Sequence, residues 1–189
     1  MKYQKVSKEK ILAAAAKVIA AKGLDKTSVD DIIAEANVSK GIIYFYYKNK
    51  DELLIAGIKY AAESRISQIK NALAKISSPK EKLTRLFKAN SLMLQKDRDS
   101  FLMTYALLLS SHDDVRKVVA CEYIQSYISY VAEIIEAGVS AGEFIKVDST
   151  SIATSLVITN DLTGILNFNT ANIPTSEKII SDLFKLIIK

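Results

Sequence analysis

SVDDIIAEANVSKGIIYFYY, residues 28–47, decides the fold. Ser28 followed by Asp31 has the spacing of a capping box, with Asp in place of the preferred Glu, so a helix starts there. Thr27 is the neighbouring candidate cap. Val29, Ile32, Ile33 and Ala36 give that helix an apolar face. Asn37-Val38-Ser39 interrupts it, because Asn tolerates the left-handed conformation and Ser39 can cap the next helix. That helix spans about 40–47, with Ile43 and Tyr47 one turn apart. Two short helices joined by a three-residue turn have the lengths of a helix-turn-helix.

Upstream, Ser7 is placed to cap a first helix. Ile11, Leu12, Ala15, Val18 and Ile19 recur at helical spacing, and Gly23 supplies a left-handed stop. Downstream, Asn49 and Glu52 form another capping box and open a fourth helix reaching about residue 74. Ser78, Pro79 and Glu81 start a fifth. A sixth covers roughly 99–110, and His112-Asp113-Asp114 begins a long helix that ends near 141, before Gly142. Asp148 caps an eighth reaching about 168, and a last helix covers about 176–188. No strand-like alternation, internal repeat or low-complexity tract is present. The expected fold is all-α with about nine helices. A three-helix domain at 1–50 holds the motif at about 28–47; a larger helical domain at 51–189 is joined to it by the fourth helix.

Composition agrees. Of 189 residues, 49% are hydrophobic and 25% charged, as in a globular protein. Two prolines and six glycines are too few for a fold of many tight turns. The single cysteine, Cys121, excludes a disulfide within the chain, and with one histidine, His112, it excludes a Cys/His zinc cluster. A Ser-His-Asp or Cys-His mechanism would have to use His112. Asp113-Asp114 and the pair Glu133 and Glu136 are the available carboxylate pairs, but acids at a helix start need no catalytic explanation. Without a Gly-rich phosphate loop or metal-ligand spacing, no enzyme, metal or cofactor is expected. No window approaches 18 uninterrupted apolar residues, so no membrane partner is expected. The amino end lacks a signal-peptide pattern, and the expected location is the cytoplasm, with Cys121 reduced. The net charge of +5 lies wholly in residues 1–50, which hold ten lysines and five acids. A local positive field of that kind suits a polyanion.

The stretch ILAAAAKVIAAKGLDKTSVDDIIAEANVSKGIIYFYYKNKDELL resembles the amino-terminal domain of TetR-family transcriptional repressors. The resemblance is carried by Ile11-Leu12, Ala14-Ala15, Gly23, Thr27-Ser28-Val29, Ile32, Ala36, Val38-Ser39, Gly41, Tyr44 and Lys50-Asp51-Glu52-Leu53. Asn37 stands where the family usually has Gly, Tyr47 where it has Phe, and Asp30 where it often has a basic residue. Farther on, Gly138, Gly142-Glu143-Phe144, Asp148 and Ile152-Ala153 resemble the approach to the penultimate helix of many members. The resemblance implies a homodimer packed through the last two long helices, for which Ile152, Leu156, Thr159, Thr163, Ile180, Leu183, Phe184 and Ile187 are the expected contacts. It also implies a small-molecule effector held in the carboxy-terminal domain, and repression relieved by that effector.

The expected partner is double-stranded DNA with a near-palindromic operator. The third helix would enter the major groove, where base edges are distinguishable. Lys40 can donate to guanine or to a phosphate, Gly41 permits close approach, and Ile42 suits a thymine methyl. By the resemblance, Tyr44 bonds a phosphate, with Phe45 and Tyr46 at the groove rim. Lys50 meets phosphate at the start of the fourth helix, and Thr27, Ser28 and Ser39 are further candidates. Lys2, Lys5 and Lys8 are candidates for additional backbone contacts. The competing view of Tyr44-Phe45-Tyr46-Tyr47 is an aromatic core cluster, but four consecutive aromatics cannot all face inward on one helix. For a hydrophobic effector, the candidates are Asn90, Met93, Phe101, Tyr105, Leu108, Cys121, Tyr123, Tyr127, Asn160 and Phe168. Ordinary core is the alternative for the apolar ones, and an interhelical or dimer-interface bond for the two asparagines. Cys121 on its own reads as a buried small hydrophobe. The rival classes are a helical interaction or ligand-binding protein without DNA binding, and a small all-α enzyme. Lys40, Tyr44 and Lys50 argue against the first.

Overall fold

The helices α1 (Lys2–Lys22), α2 (Val29–Ala36), α3 (Lys40–Tyr46) and α4 (Lys50–Leu73) succeed one another through short turns. The computed structural model describes residues 2–96, 105–167 and 174–189. After α4 come α5 (Pro79–Lys96) and α6, of which residues 105–108 are described. Then α7 (Asp113–Val118) runs through a π-helical segment (Val119–Gln125) into α8 (Ser126–Ser140). The last are α9 (Ser149–Asn167) and α10 (Ser176–Lys185). With the run 113–140 taken as one helix, nine helices are present among the described residues, and the fold is all-α. Residues 99–104 of the expected sixth helix lie outside the described residues.

Two helix ends differ from expectation. The first helix begins at Lys2, so Ser7 is not its cap. The last stops at Lys185, because the chain beyond it pairs with the segment after α8. The Ile145 N–H donates to the Ile187 carbonyl at 2.8 Å, and the Lys189 N–H to the Glu143 carbonyl at 3.1 Å.

The caps explain where the helices start. Ser28 and Asp31 form the reciprocal box: the Asp31 N–H donates to Ser28 Oγ and the Ser28 N–H to Asp31 Oδ2, both at 3.1 Å. At α4 the Glu52 N–H donates to Asn49 Oδ1 at 2.8 Å, while the Glu52 carboxylate reaches back to the Lys48 N–H. Ser78, Asp148 and Thr175 cap α5, α9 and α10 in the same way. Gly23 at φ 81° and Asn37 at φ 49° take the left-handed turns that end α1 and α2.

Two compact units result, Met1–Ile66 with Met103–Ile124, and Ser67–Leu102 with Gln125–Lys189. The first therefore extends past residue 50, the expected boundary. Its core joins Ile11, Ala15, Val18 and Ile19 of α1 to Ile32, Ile43, Leu53, Leu54 and Ile58, and to Leu107, Val115 and Val119 from later in the chain. Gly57 brings α4 onto α1: a Cβ there would stand 2.8 Å from the Ala15 Cβ. Tyr47 closes this core with its ring buried and, among the described residues, no hydrogen-bond partner for its hydroxyl. Burial pushes its phenol pKa up. An unsatisfied buried hydroxyl costs about 1–3 kcal/mol, so Tyr47→Phe is expected to stabilise the protein by about 1 kcal/mol. Urea unfolding measures this; a lower midpoint would mean that the hydroxyl is satisfied in solution.

In the second unit, α8 packs on α9 and α5, and α10 packs on α9 and α5. Leu83, Phe87, Val131, Ile135, Phe144, Leu156, Val157, Ile180 and Phe184 form its core. The rings of Phe87 and Phe184 meet edge to face at 5.7 Å. The segment Gly138 to Phe144 has a packing reason. Gly142, at φ 75°, turns the chain, and Phe144 folds back so that its ring lies on Gly138. Glu143 then caps α5, accepting from the Ser78 hydroxyl at 2.9 Å and the Lys80 N–H at 2.8 Å.

Candidate nucleic-acid interface

Helix α3 has two unlike sides. Ile43 and Tyr47 are buried, while Lys40, Gly41, Tyr44 and Phe45 are exposed along the opposite side. Tyr44 is 48% and Phe45 70% exposed, which is unusual for large aromatics on a soluble surface. Phe45 is held edge to face against Tyr46, with ring centroids 5.1 Å apart. A Cβ added at Gly41 would meet nothing within 4 Å. The fold therefore has no need of glycine there, and any constraint on the position must come from outside the chain.

Charge around α3 is arranged in pairs. All three acids of α2 have a lysine partner: Glu35 with Lys17 and Asp31 with Lys22, each at 2.6 Å, and Asp30 with Lys40 at 3.6 Å. Lys8, Lys10, Lys26, Lys48 and Lys50 carry no ion pair among the described residues. The positive excess of the amino end thus falls on lysines open to an external anion. Of Lys2, Lys5 and Lys8, the side-chain placement is described for Lys8, which is exposed.

Asp31 is held by more than its lysine. The Lys22 ammonium, the Ser28 hydroxyl and the Ser28 N–H lower its pKa to about 2. The ionised form is the one bound, so its contribution to α2 is complete above the ordinary carboxyl range near 4 and is lost as pH falls toward about 2. The protection of α2 amides, relative to their intrinsic exchange at each pH, is expected to fall across that window in the wild type and to be low already at neutral pH in Asp31→Asn. Equal protection in both proteins would show that the carboxylate does not hold the helix.

The expected hydroxyl contacts fare unequally. Thr27 is 1% exposed and its Oγ1 donates to the Gly23 carbonyl at 2.7 Å, so it is a packing residue and not a surface donor. Ser28 Oγ both donates to and accepts from Asp31, which leaves it committed to the cap. Ser39 is exposed at the head of α3 and makes no side-chain capping bond. Ile42 and Tyr46 are half-buried against the core, and Lys50 is half-buried at the first turn of α4.

In the carboxy-terminal unit, the two asparagines come together. Asn90 Nδ2 and Asn160 Nδ2 donate to Asp161 Oδ1 at 3.2 and 3.0 Å, and Ser91 Oγ reaches Asn160 Oδ1 at 3.5 Å. This joins α5 to α9 by buried polar contacts. Tyr127, also in this unit, is buried, whereas Tyr105, Leu108, Cys121 and Tyr123 belong to the other unit. Cys121 is exposed on the π-helical segment, so the expectation of a buried thiol is corrected. Phe101, Phe168 and the side chain of Met93 lie outside the described residues.

The residues expected to face a partner subunit differ in exposure. Leu156, Thr163, Ile180, Phe184 and Ile187 are buried within their own chain, and Ile152, Thr159 and Leu183 are half-buried. Among the described residues, the large exposed apolar side chains of α9 are Ile158 at 54%, Leu162 at 53% and Leu166 at 39%, spaced one turn apart. Nothing in the residue pattern marks these three, because α9 carries apolar residues on every side. Among the described residues no helix is long and apolar enough to cross a membrane.

Residues 11–56 match the family described as bacterial regulatory proteins, tetR family. Residues 60–164 match the YsiA-like protein, C-terminal region. The fatty acid metabolism regulator protein of Bacillus subtilis is 28% identical over 143 residues, 76% of this chain and 73% of that protein. The solved TetR-family regulator of Cytophaga hutchinsonii is 25% identical, with a TM-score of 0.78 over 100% of this chain and 98% of that one. The regulator FadR of Bacillus subtilis, solved with stearoyl-CoA, shares the fold: its TM-score is 0.70 at 23% identity over 95% of this chain and 97% of that one. The chain belongs to the TetR family of transcriptional regulators, which are not enzymes, with a helix-turn-helix at its amino end and a YsiA-like region after it.

Proposed function

We propose that the protein is a dimeric repressor that places one α3 per subunit into successive major grooves of a near-palindromic operator and is released by a hydrophobic, acyl-bearing effector. The observation that carries the DNA reading is the exposed side of α3: Lys40, Gly41, Tyr44 and Phe45 face outward from a helix anchored by Ile43 and Tyr47. Lys40 is the candidate for guanine O6 or N7 and Ile42 for a thymine methyl. Ser39, Tyr44 and Lys50 take phosphate, with Phe45 and Tyr46 at the groove rim.

Gly41→Ala separates folding from reading. Alanine fits open space and improves helix propensity, so stability is expected to hold or rise by up to about 1 kcal/mol. Affinity for selected operators is expected to fall about tenfold or more, because the methyl would stand between backbone and base edges. Lys50→Ala is expected to weaken all duplexes alike and to reduce the salt slope by about one per subunit. Wild-type affinity in both variants, measured by fluorescence anisotropy across a salt series, would remove α3 and α4 from the interface.

Similarity to the fatty acid metabolism regulator supports an acyl ligand. Asn90 and Asn160, with Ser91 and Asp161, are the candidate polar end of its site. An effector acts only by its differential affinity for the DNA-binding and released states. Long-chain acyl-CoA is therefore expected to displace labelled operator, and a flat aromatic cation is not. The converse result would change the ligand class.

A further inference from the structure

We propose that Asp30 is a positioning residue that keeps Lys40 from binding DNA indiscriminately. The inference rests on the DNA-binding reading above and concerns a single pair. Asp30 is the second residue of α2 and Lys40 the first of α3. Asp30 Oδ1 lies 3.6 Å from Lys40 Nζ, with both side chains more than half exposed.

The other two pairs of α2 have structural work. Lys17–Glu35 and Lys22–Asp31 fasten α2 to α1 at 2.6 Å, and Asp31 also closes the capping box. Asp30 makes no bond of that kind; as an acid in the first turn of α2 it contributes only through the helix dipole. The box at that helix start is complete without it, and its side chain is 79% exposed. An exposed, loosely spaced pair adds little to folding. What it changes is the charge offered at the head of the reading helix.

A free lysine there would settle on the nearest phosphate, a contact that is strong, salt-dependent and blind to sequence. An adjacent carboxylate alters the balance in two ways. It competes with phosphate for the ammonium, and its own charge repels the backbone. Where Lys40 can reach guanine O6 and N7, these acceptors replace the carboxylate at a distance from phosphate. Asp30 thus lowers affinity for arbitrary DNA more than for the chosen site. Such a penalty on wrong partners raises the specificity ratio without any new attractive contact.

The test is Asp30→Asn, which keeps shape and removes charge. The probes are a random-sequence duplex pool and the duplexes that the wild type selects from it. Affinity for the random pool is expected to rise about threefold per subunit, with a steeper salt dependence. Affinity for selected duplexes should rise less, so the ratio of the two falls. In a Lys40→Ala background the same substitution should leave that ratio almost unchanged, while the loss of a first-turn carboxylate lowers the thermal midpoint by no more than about a few degrees in either background. Unchanged or weaker binding of the random pool by Asp30→Asn overturns the proposal, as does an equal drop in ratio without Lys40. If the wild type binds neither probe, the DNA reading itself fails and this inference falls with it.

Discussion

Leu162→Glu combined with Ile158→Glu is expected to leave the protein as folded single subunits and to lower operator affinity by about a hundredfold or more. Ile158 and Leu162 are 54% and 53% exposed on one side of α9. Burying carboxylates against the same stripe of a second chain would leave them desolvated and facing like charges. The substitutions add polar groups to positions already open to water, so each subunit keeps its own core. Loss of affinity has a geometric cause: two reading helices on one body bind with a high effective concentration, and a lone one does not. Light scattering reports the mass, circular dichroism the fold and anisotropy the affinity. A variant that remains dimeric would place the interface elsewhere. The matched control is Leu156→Ala at a buried position of the same helix, which should lower stability by about 2–5 kcal/mol without itself converting folded dimer to monomer.

Gly138→Val should lower unfolding free energy by about 3 kcal/mol. A Cβ at Gly138 would stand 2.1 and 2.2 Å from Phe144 ring carbons. The ring cannot simply swing away, because Phe144 is buried and its backbone is held from several directions. Its N–H donates to the Gly138 carbonyl, the next N–H to Ile187, and the preceding side chain caps α5. Gly142→Ala offers a graded comparison. There is open space for the methyl but φ is 75°, so strain alone costs about 1 kcal/mol. Urea midpoints of the two variants should therefore differ clearly. Equal midpoints would mean that the Phe144 ring has another place to go.

Much of the candidate interface was legible from residues alone. Asn37 announces its turn because few residues accept a left-handed backbone, and Ser28 with Asp31 announces α2 because the two bonds of the box span three positions. Four consecutive aromatics had to leave some ring outside, and Tyr44 and Phe45 are the ones exposed. The fate of the hydroxyls was not legible. Thr27, Ser28 and Ser39 read alike, yet the first two are consumed by Gly23 and Asp31.

Sequence by itself determined the helix-turn-helix and the capped starts of α2, α4, α5, α9 and α10, because capping bonds and 3.6-residue periodicity involve neighbours a few positions apart. Tertiary structure decided what each helix is next to. It turned Leu156 and Thr163 inward and Ile158 and Leu162 outward on α9, drew Met103–Ile124 into the compact unit of α1, and left Cys121 at the surface. Burial depends on partners distant along the chain. Where apolar residues occupy every side of a helix, local periodicity carries no record of which side those partners cover.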